Sequence, residues 1–143
     1  MNDRAWGLDG LTPEQMVAHE DWRVRRQAVR QGCGLNKLAE DADWRVRVAV
    51  AERGHDLGRL VDDESAEVRL AVVEQGHYLD QLVSDQDPWV RKAVAEKGHG
   101  LSRLVNDECP DVREMAQEKL AEKQAQEATR PARRRRQQRG PEM

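Results

Sequence analysis

The sequence predicts an all-α solenoid built from 22-residue repeats, and three observations carry that prediction. Val-Arg recurs at Val24-Arg25, Val46-Arg47, Val68-Arg69, Val90-Arg91 and Val112-Arg113, each step being 22 residues. Further columns keep the same phase, among them Gly32, Gly54, Gly76 and Gly98, and Leu38, Leu60, Leu82 and Leu104. Phe is absent and Tyr occurs once, so a core must be made from Val, Leu and Ala, which suit thin layers between short helices.

Each unit opens with a long helix. Asp21, Asp43, Ser65 and Asp87 are good N-cap residues, and Pro88 and Pro110 stand where the first helical position falls. The long helices therefore begin near 22, 44, 66, 88 and 110. The glycine about ten residues further on is placed to be a left-handed stop, which leaves roughly three turns.

A shorter element follows, carrying Leu-x-x-Leu as in Leu57 and Leu60. With about six residues available it is limited to one or two turns of α or 3₁₀ helix. Neither helix buries its apolar stripe alone, so the units must stack and need caps at both ends. Residues 1–21 are read as a degenerate N-terminal capping repeat, with Trp6 and Leu8 as its plug and Pro13, Met16 and Val17 in the phase of Leu35, Leu38 and Ala39. Residues 22–109 are four repeats, 110–129 a C-terminal capping helix, and 130–143 an arginine-rich tail expected to be disordered.

Along the long helix the arginine column, Arg25, Arg47, Arg69, Arg91 and Arg113, lies about 100° from the valines and inside the apolar arc. A guanidinium there cannot shed its charge and must find a carboxylate or carbonyls. The column Asp41, Asp63, Asp85 and Asp107 is its natural partner, so both are read as a structural ladder tying helices to the turns between repeats.

The repeated Asp-Trp-Arg-Val-Arg at Asp21 to Arg25 and Asp43 to Arg47, followed by an Ala/Val pair, a turn and Leu-x-x-Leu, resembles the leucine-rich repeat variant family over about residues 11 to 120. The resemblance implies a right-handed superhelix of alternating α and 3₁₀ helices, akin to HEAT-like repeats, whose usual work is binding other macromolecules. The best-known form of that family also carries a cysteine-ligated iron–sulfur domain. Here only Cys33 and Cys109 are present, against the four thiolates such a cluster normally needs, so no cofactor is expected. The 22-residue period is shorter than the family's usual unit, and a short HEAT-like solenoid is an alternative label.

Chemistry is sparse. His55, His77 and His99 share a column, but stacked helices sit about 8–10 Å apart, too far for successive units to share one metal ion. Asp62, Asp63 and Glu64 read as a solvated turn, and no Ser-His-Asp order or phosphate loop stands out, so no catalysis is expected. Trp22 and Trp44 share a column and Trp89 is shifted by one; beside Arg23 and Arg45 they are either packing residues or a partner-binding hot spot.

Net charge is −3, yet residues 1–129 hold 18 basic and 26 acidic side chains while 130–143 hold six arginines and one glutamate. The tail's Arg133, Arg134, Arg135, Arg136 and Arg139 suit phosphate binding by counterion release. The expected function is a non-catalytic scaffold for another protein in the cytoplasm, with no membrane span and no metal. The alternative is a nucleic-acid-associated protein that contacts DNA or RNA phosphates through the tail and the basic N-terminal repeats.

Overall fold

The computed structural model describes residues 10–130. Helix α1 (Pro13–Val17) is followed by four pairs of a nine-residue and a four-residue helix: α2 (Trp22–Arg30) and α3 (Leu35–Leu38), α4 (Trp44–Glu52) and α5 (Leu57–Leu60), α6 (Ala66–Glu74) and α7 (Leu79–Leu82), α8 (Pro88–Glu96) and α9 (Leu101–Leu104). Helix α10 (Pro110–Thr129) closes the series. Each long helix packs on the next, in the order α2, α4, α6, α8, α10, and each short helix packs on the long helices before and after it. This is a short α-solenoid.

Why the chain repeats this pattern is visible at the ends of each helix. Asp21, Asp43 and Asp87 each accept a hydrogen bond from the backbone N–H two residues on, satisfying one orphan donor of the first turn. Ser65 departs from the expectation: its hydroxyl makes no cap and donates to Glu67 Oε2 at 2.8 Å instead. At the other end Gly32 has φ +82°, its N–H donates to Val29 O, and the Cys33 N–H donates to Ala28 O, both over 2.8 Å. These two bonds form a Schellman stop, which the glycine's left-handed backbone permits.

The short helices are α rather than 3₁₀ turns, and each starts from a left-handed residue: Gly34, Asp56, Tyr78 or Gly100. A Cβ on Gly34 would stand 2.6 Å from Val17 Cγ2, and one on Gly100 would stand 2.5 Å from Val83 Cγ2. Ala39 holds the equivalent place ahead of Asp56. Val61 holds it ahead of Tyr78, so a side chain is accommodated here beside a valine as well as beside an alanine.

Nine residues are too few for a stable isolated helix, for which about 12–15 are needed, so tertiary packing must supply the order. Leu38, Leu60, Leu82 and Leu104 are buried, as are Val46, Val68, Val90 and Val112, and they form one continuous apolar seam along the array. Each such side chain contributes about 1.5–3 kcal/mol by leaving water. Met16 is buried at the N-terminal end, where α1 occupies the phase of a short helix. Trp6, Leu8 and the tail arginines from Arg133 to Arg139 lie outside the described residues.

Candidate functional site

Two sets of polar and aromatic side chains stand out, one inside the array and one on its outer face. Inside, Arg25 donates to Asp41, Arg47 to Asp63, Arg69 to Asp85 and Arg91 to Asp107, always from Nε to Oδ2 at 2.8 Å and from Nη2 to Oδ1 at 3.0–3.1 Å. The forked geometry is the strong form of this contact. Arg47, Arg69 and Arg91 are buried.

The same arginines also look backwards. Nη1 of Arg47, Arg69, Arg91 and Arg113 donates to the carbonyls of Asp41, Asp63, Asp85 and Asp107 at 2.6–2.8 Å. Each of Asp41, Asp63 and Asp85 therefore receives one arginine on its carboxylate and the next on its backbone. Its Oδ1 accepts a further N–H, from Asp43, Ser65 or Asp87, at 2.9 Å. The result is a continuous chain of charge-assisted bonds linking the turns.

Asp107 is shaped by opposing effects. Burial works to raise its pKa, but hydrogen bonds from Arg91 and from the Cys109 amide outweigh it and hold the carboxyl below its usual range. Asp107 raises the pKa of Arg91 in return, chiefly through that hydrogen bond. Arg113 ends the ladder without a carboxylate, held by the Asp107 and Glu108 carbonyls. Donors and acceptors here are committed to one another, so the ladder offers little to an outside phosphate.

On the outer face, the first two residues of successive long helices form a different row. Arg45 forks onto Asp43, with Nε to Oδ1 at 3.0 Å and Nη2 to Oδ2 at 2.8 Å. Its guanidinium also lies over the Trp22 ring of the preceding repeat, 3.8 Å from the centroid, and 5.8 Å from the centroid of Trp44. Arg26 covers Trp22 as well, at 4.8 Å. Trp22 thus packs against the core and under two cations.

Trp44 and Trp89 differ from it, with 42% and 59% of their surface exposed. Lys92 stands 5.2 Å from the Trp89 centroid. Arg23 forks onto Asp21 at 3.1 and 2.9 Å, and hydrogen bonds from the Arg23 side chain and amide pull the Asp21 pKa down to about 2. The three tryptophans are therefore not equivalent: Trp22 is packed, and Trp44 and Trp89 are exposed.

A third feature escaped sequence reasoning. His55 Nε2 meets Asn36 Oδ1 at 2.6 Å and His99 Nε2 meets Asp80 Oδ1 at 2.5 Å, each across 19 residues. Gln81 donates to Asp62 and Arg59 pairs with Glu40 at the related positions, at 2.7 and 2.9 Å. A search for complementary polar pairs at that spacing finds them. No group of three or more His, Cys, Asp or Glu among the described residues could hold a metal ion, and both cysteines are free thiols.

No helix among the described residues is long and apolar enough to cross a membrane. No family model, curated protein or solved structure matches the chain.

Proposed function

We propose that this chain is a non-catalytic repeat scaffold that binds another protein through the outer face of its long helices. The observation that carries the reading is the exposure of Trp44 and Trp89 when, among the described residues, the other large apolar side chains lie in or against the core, Tyr78 aside. Large exposed aromatic surface is costly to leave in water, and Trp with neighbouring Arg is the composition of interface hot spots. The ladder supports the reading indirectly, because its polar groups satisfy one another. The Asp-Trp-Arg-Val-Arg units support membership of the leucine-rich repeat variant family and a right-handed superhelix. Affinity capture with the intact chain and with a Trp44→Ala/Trp89→Ala variant tests the reading. Proteins retained by the first and lost by the second support it; identical retention by both sinks it.

A second reading rests on composition. Arg133, Arg134, Arg135, Arg136 and Arg139 lie close together in sequence, and Arg23, Arg30, Arg45 and Arg53 enrich the first two repeats in positive charge. Such a chain would hold DNA or RNA phosphates with strong salt dependence. Anisotropy of labelled DNA and RNA with the full chain and with one ending at Thr129, at two salt concentrations, checks it. Binding that survives the truncation unchanged counts against the tail.

A further inference from the structure

We propose that the outer face of the long helices receives a second copy of this chain, in a closed two-fold dimer that sets the basic stripe of α2 against the acidic stripe of α10. This deepens the scaffold reading and rests on it, naming the chain itself as a partner.

The helix period defines the face. At about 100° per residue, the first, second, fifth and ninth residues of each long helix share one side, opposite the buried valines of the third column. On α2 these columns hold Trp22, Arg23, Arg26 and Arg30, and on α10 they hold Pro110, Asp111, Glu114 and Glu118. The two end helices therefore carry opposite charge at matching positions.

In the fifth and ninth columns neither end is neutralised from within. Among the described residues, Arg26, Arg30, Glu114 and Glu118 form no salt bridge. Arg26 Nε is buried without an acceptor, and burial, with Arg30 adding to it, holds the Arg26 pKa below its usual value. A carboxylate arriving from outside would relieve that repulsion. Glu114 and Glu118 are exposed one turn apart, the same spacing as Arg26 and Arg30.

Between the ends lies the uncovered apolar surface. Trp44 and Trp89 are 42% and 59% exposed, and Val48 and Leu70 are half-buried in the fifth column. Charges there are mixed: Glu52, Glu67, Glu74 and Glu96 stand with Lys92 and with Lys97, which is 3.6 Å from Glu74, while Arg45 is committed to Asp43 and Trp22. A two-fold rotation about a line along α6 keeps the position on each helix and reverses the order of the helices. Arg26 and Arg30 then oppose Glu114 and Glu118 of the partner subunit, and symmetry makes the contact twice. Leu70 meets its own counterpart on the axis, beside a pair of Glu67 carboxylates that opposes association. Five long helices about 8–10 Å apart make a face of roughly 600 Å² per copy, below the roughly 800 Å² of a standard interface. Weak, salt-sensitive association is the consequence.

Sedimentation equilibrium of the full chain over a range of micromolar concentrations, at low and high salt, tests this. The expected result is a monomer–dimer equilibrium that stops at two copies and weakens about tenfold or more with added salt. Arg26→Glu/Arg30→Glu and Glu114→Arg/Glu118→Arg should each be monomeric, since both contacts become like-charged. Mixed in equal amounts the two variants should associate again, because reversed ends then meet each other and natural ends meet each other. Should Arg26→Glu unfold the array by uncovering Trp22, Arg30→Glu and Glu118→Arg alone carry the same mixing experiment. A chain that stays monomeric, growth beyond two copies, association indifferent to the reversals, or a mixture that remains monomeric would each overturn the proposal. If the chain is monomeric while captured proteins are still lost from the Trp44→Ala/Trp89→Ala variant, the second copy falls and the scaffold reading stands. Capture and self-association that both persist undiminished in that variant defeat both.

Discussion

Arg69 Nε donates to Asp85 Oδ2 over 2.8 Å although sixteen residues separate the two in the chain, and both side chains are more than nine-tenths buried. The pair spans the whole short helix α7 and fixes the turn that follows it. Because Arg69 also holds the Asp63 carbonyl at 2.7 Å, one guanidinium pins two turns.

Arg69→Ala should accordingly lower unfolding free energy by about 3–5 kcal/mol, the usual cost of leaving a buried charge without its partner. Arg113 makes carbonyl contacts alone, so Arg113→Ala should cost only about 1–2 kcal/mol. Urea denaturation of both variants measures the difference. Equal losses would mean that the carboxylate half of each rung contributes nothing.

Acid should weaken the array in a defined window. Hydrogen bonds from Arg45 hold Asp43 below its usual value of 3.8, Asp107 is held below that value too, and Asp21 is drawn to about 2. A carboxyl with a lowered folded-state pKa adds stability that is complete above its unfolded pKa and is lost as pH falls through the folded value. Helix content followed by circular dichroism should hold at neutral pH and decline below 3.8 towards 2. The stability gap between the parent and Asp107→Asn should narrow over the same interval.

Gly100→Ala and Gly76→Ala place the same methyl at similar positive φ, +64° and +77°, but in different surroundings. At Gly76 nothing lies within 4 Å, whereas at Gly100 the new Cβ would meet Val83 Cγ2 at 2.5 Å. The first should cost about 1–2 kcal/mol for the left-handed backbone; the second should add about 1–3 kcal/mol for overpacking. Adding Val83→Ala should recover part of the Gly100→Ala loss, because it removes the Cγ2 that the new methyl meets. Thermal melts of the three variants decide this.

Hydrogen exchange should divide α10 into two parts. Residues 121–129 are exposed, but Lys123 Nζ donates to the Gly98 carbonyl at 2.6 Å and ties the helix to the end of α8. Amide protection is expected to drop after Lys123, and Lys123→Ala should move that boundary towards Leu120. Unchanged protection in the variant would show that the tie is incidental.

Much of this architecture was readable from side-chain chemistry alone. Helix starts at Trp22, Trp44, Ala66, Pro88 and Pro110 follow from an N-cap residue ahead of an apolar stripe, and the glycine column marks the stops. Columns of arginine and aspartate point to each other because a cation inside an apolar arc cannot stay unpaired. The Ser65 cap was not readable, since Glu67 competes for the hydroxyl and sequence does not rank the two bonds. Nor was the stacking of Arg45 on Trp22, because a 22-residue period gives the spacing of helices but not how far one slides along its neighbour. The separate fates of Trp22, Trp44 and Trp89 depend on that slide.

Leu120 stands where the glycine column would place its next member, and Thr129 where the aspartate column would. With no residue to turn the chain and no acid to receive Arg113, α10 runs on through Leu120 and ends only at Thr129. The number of bricks in this stack is thus set where the columns lapse at its far edge, at Leu120 and Thr129 and also at Lys123 and Gln126, which hold the places of Leu101 and Leu104. Copying residues 66–87 in tandem would insert another rung while both ends kept their present neighbours, so evolution could adjust the molecule's span by duplication, like adding links to a chain whose clasp is untouched.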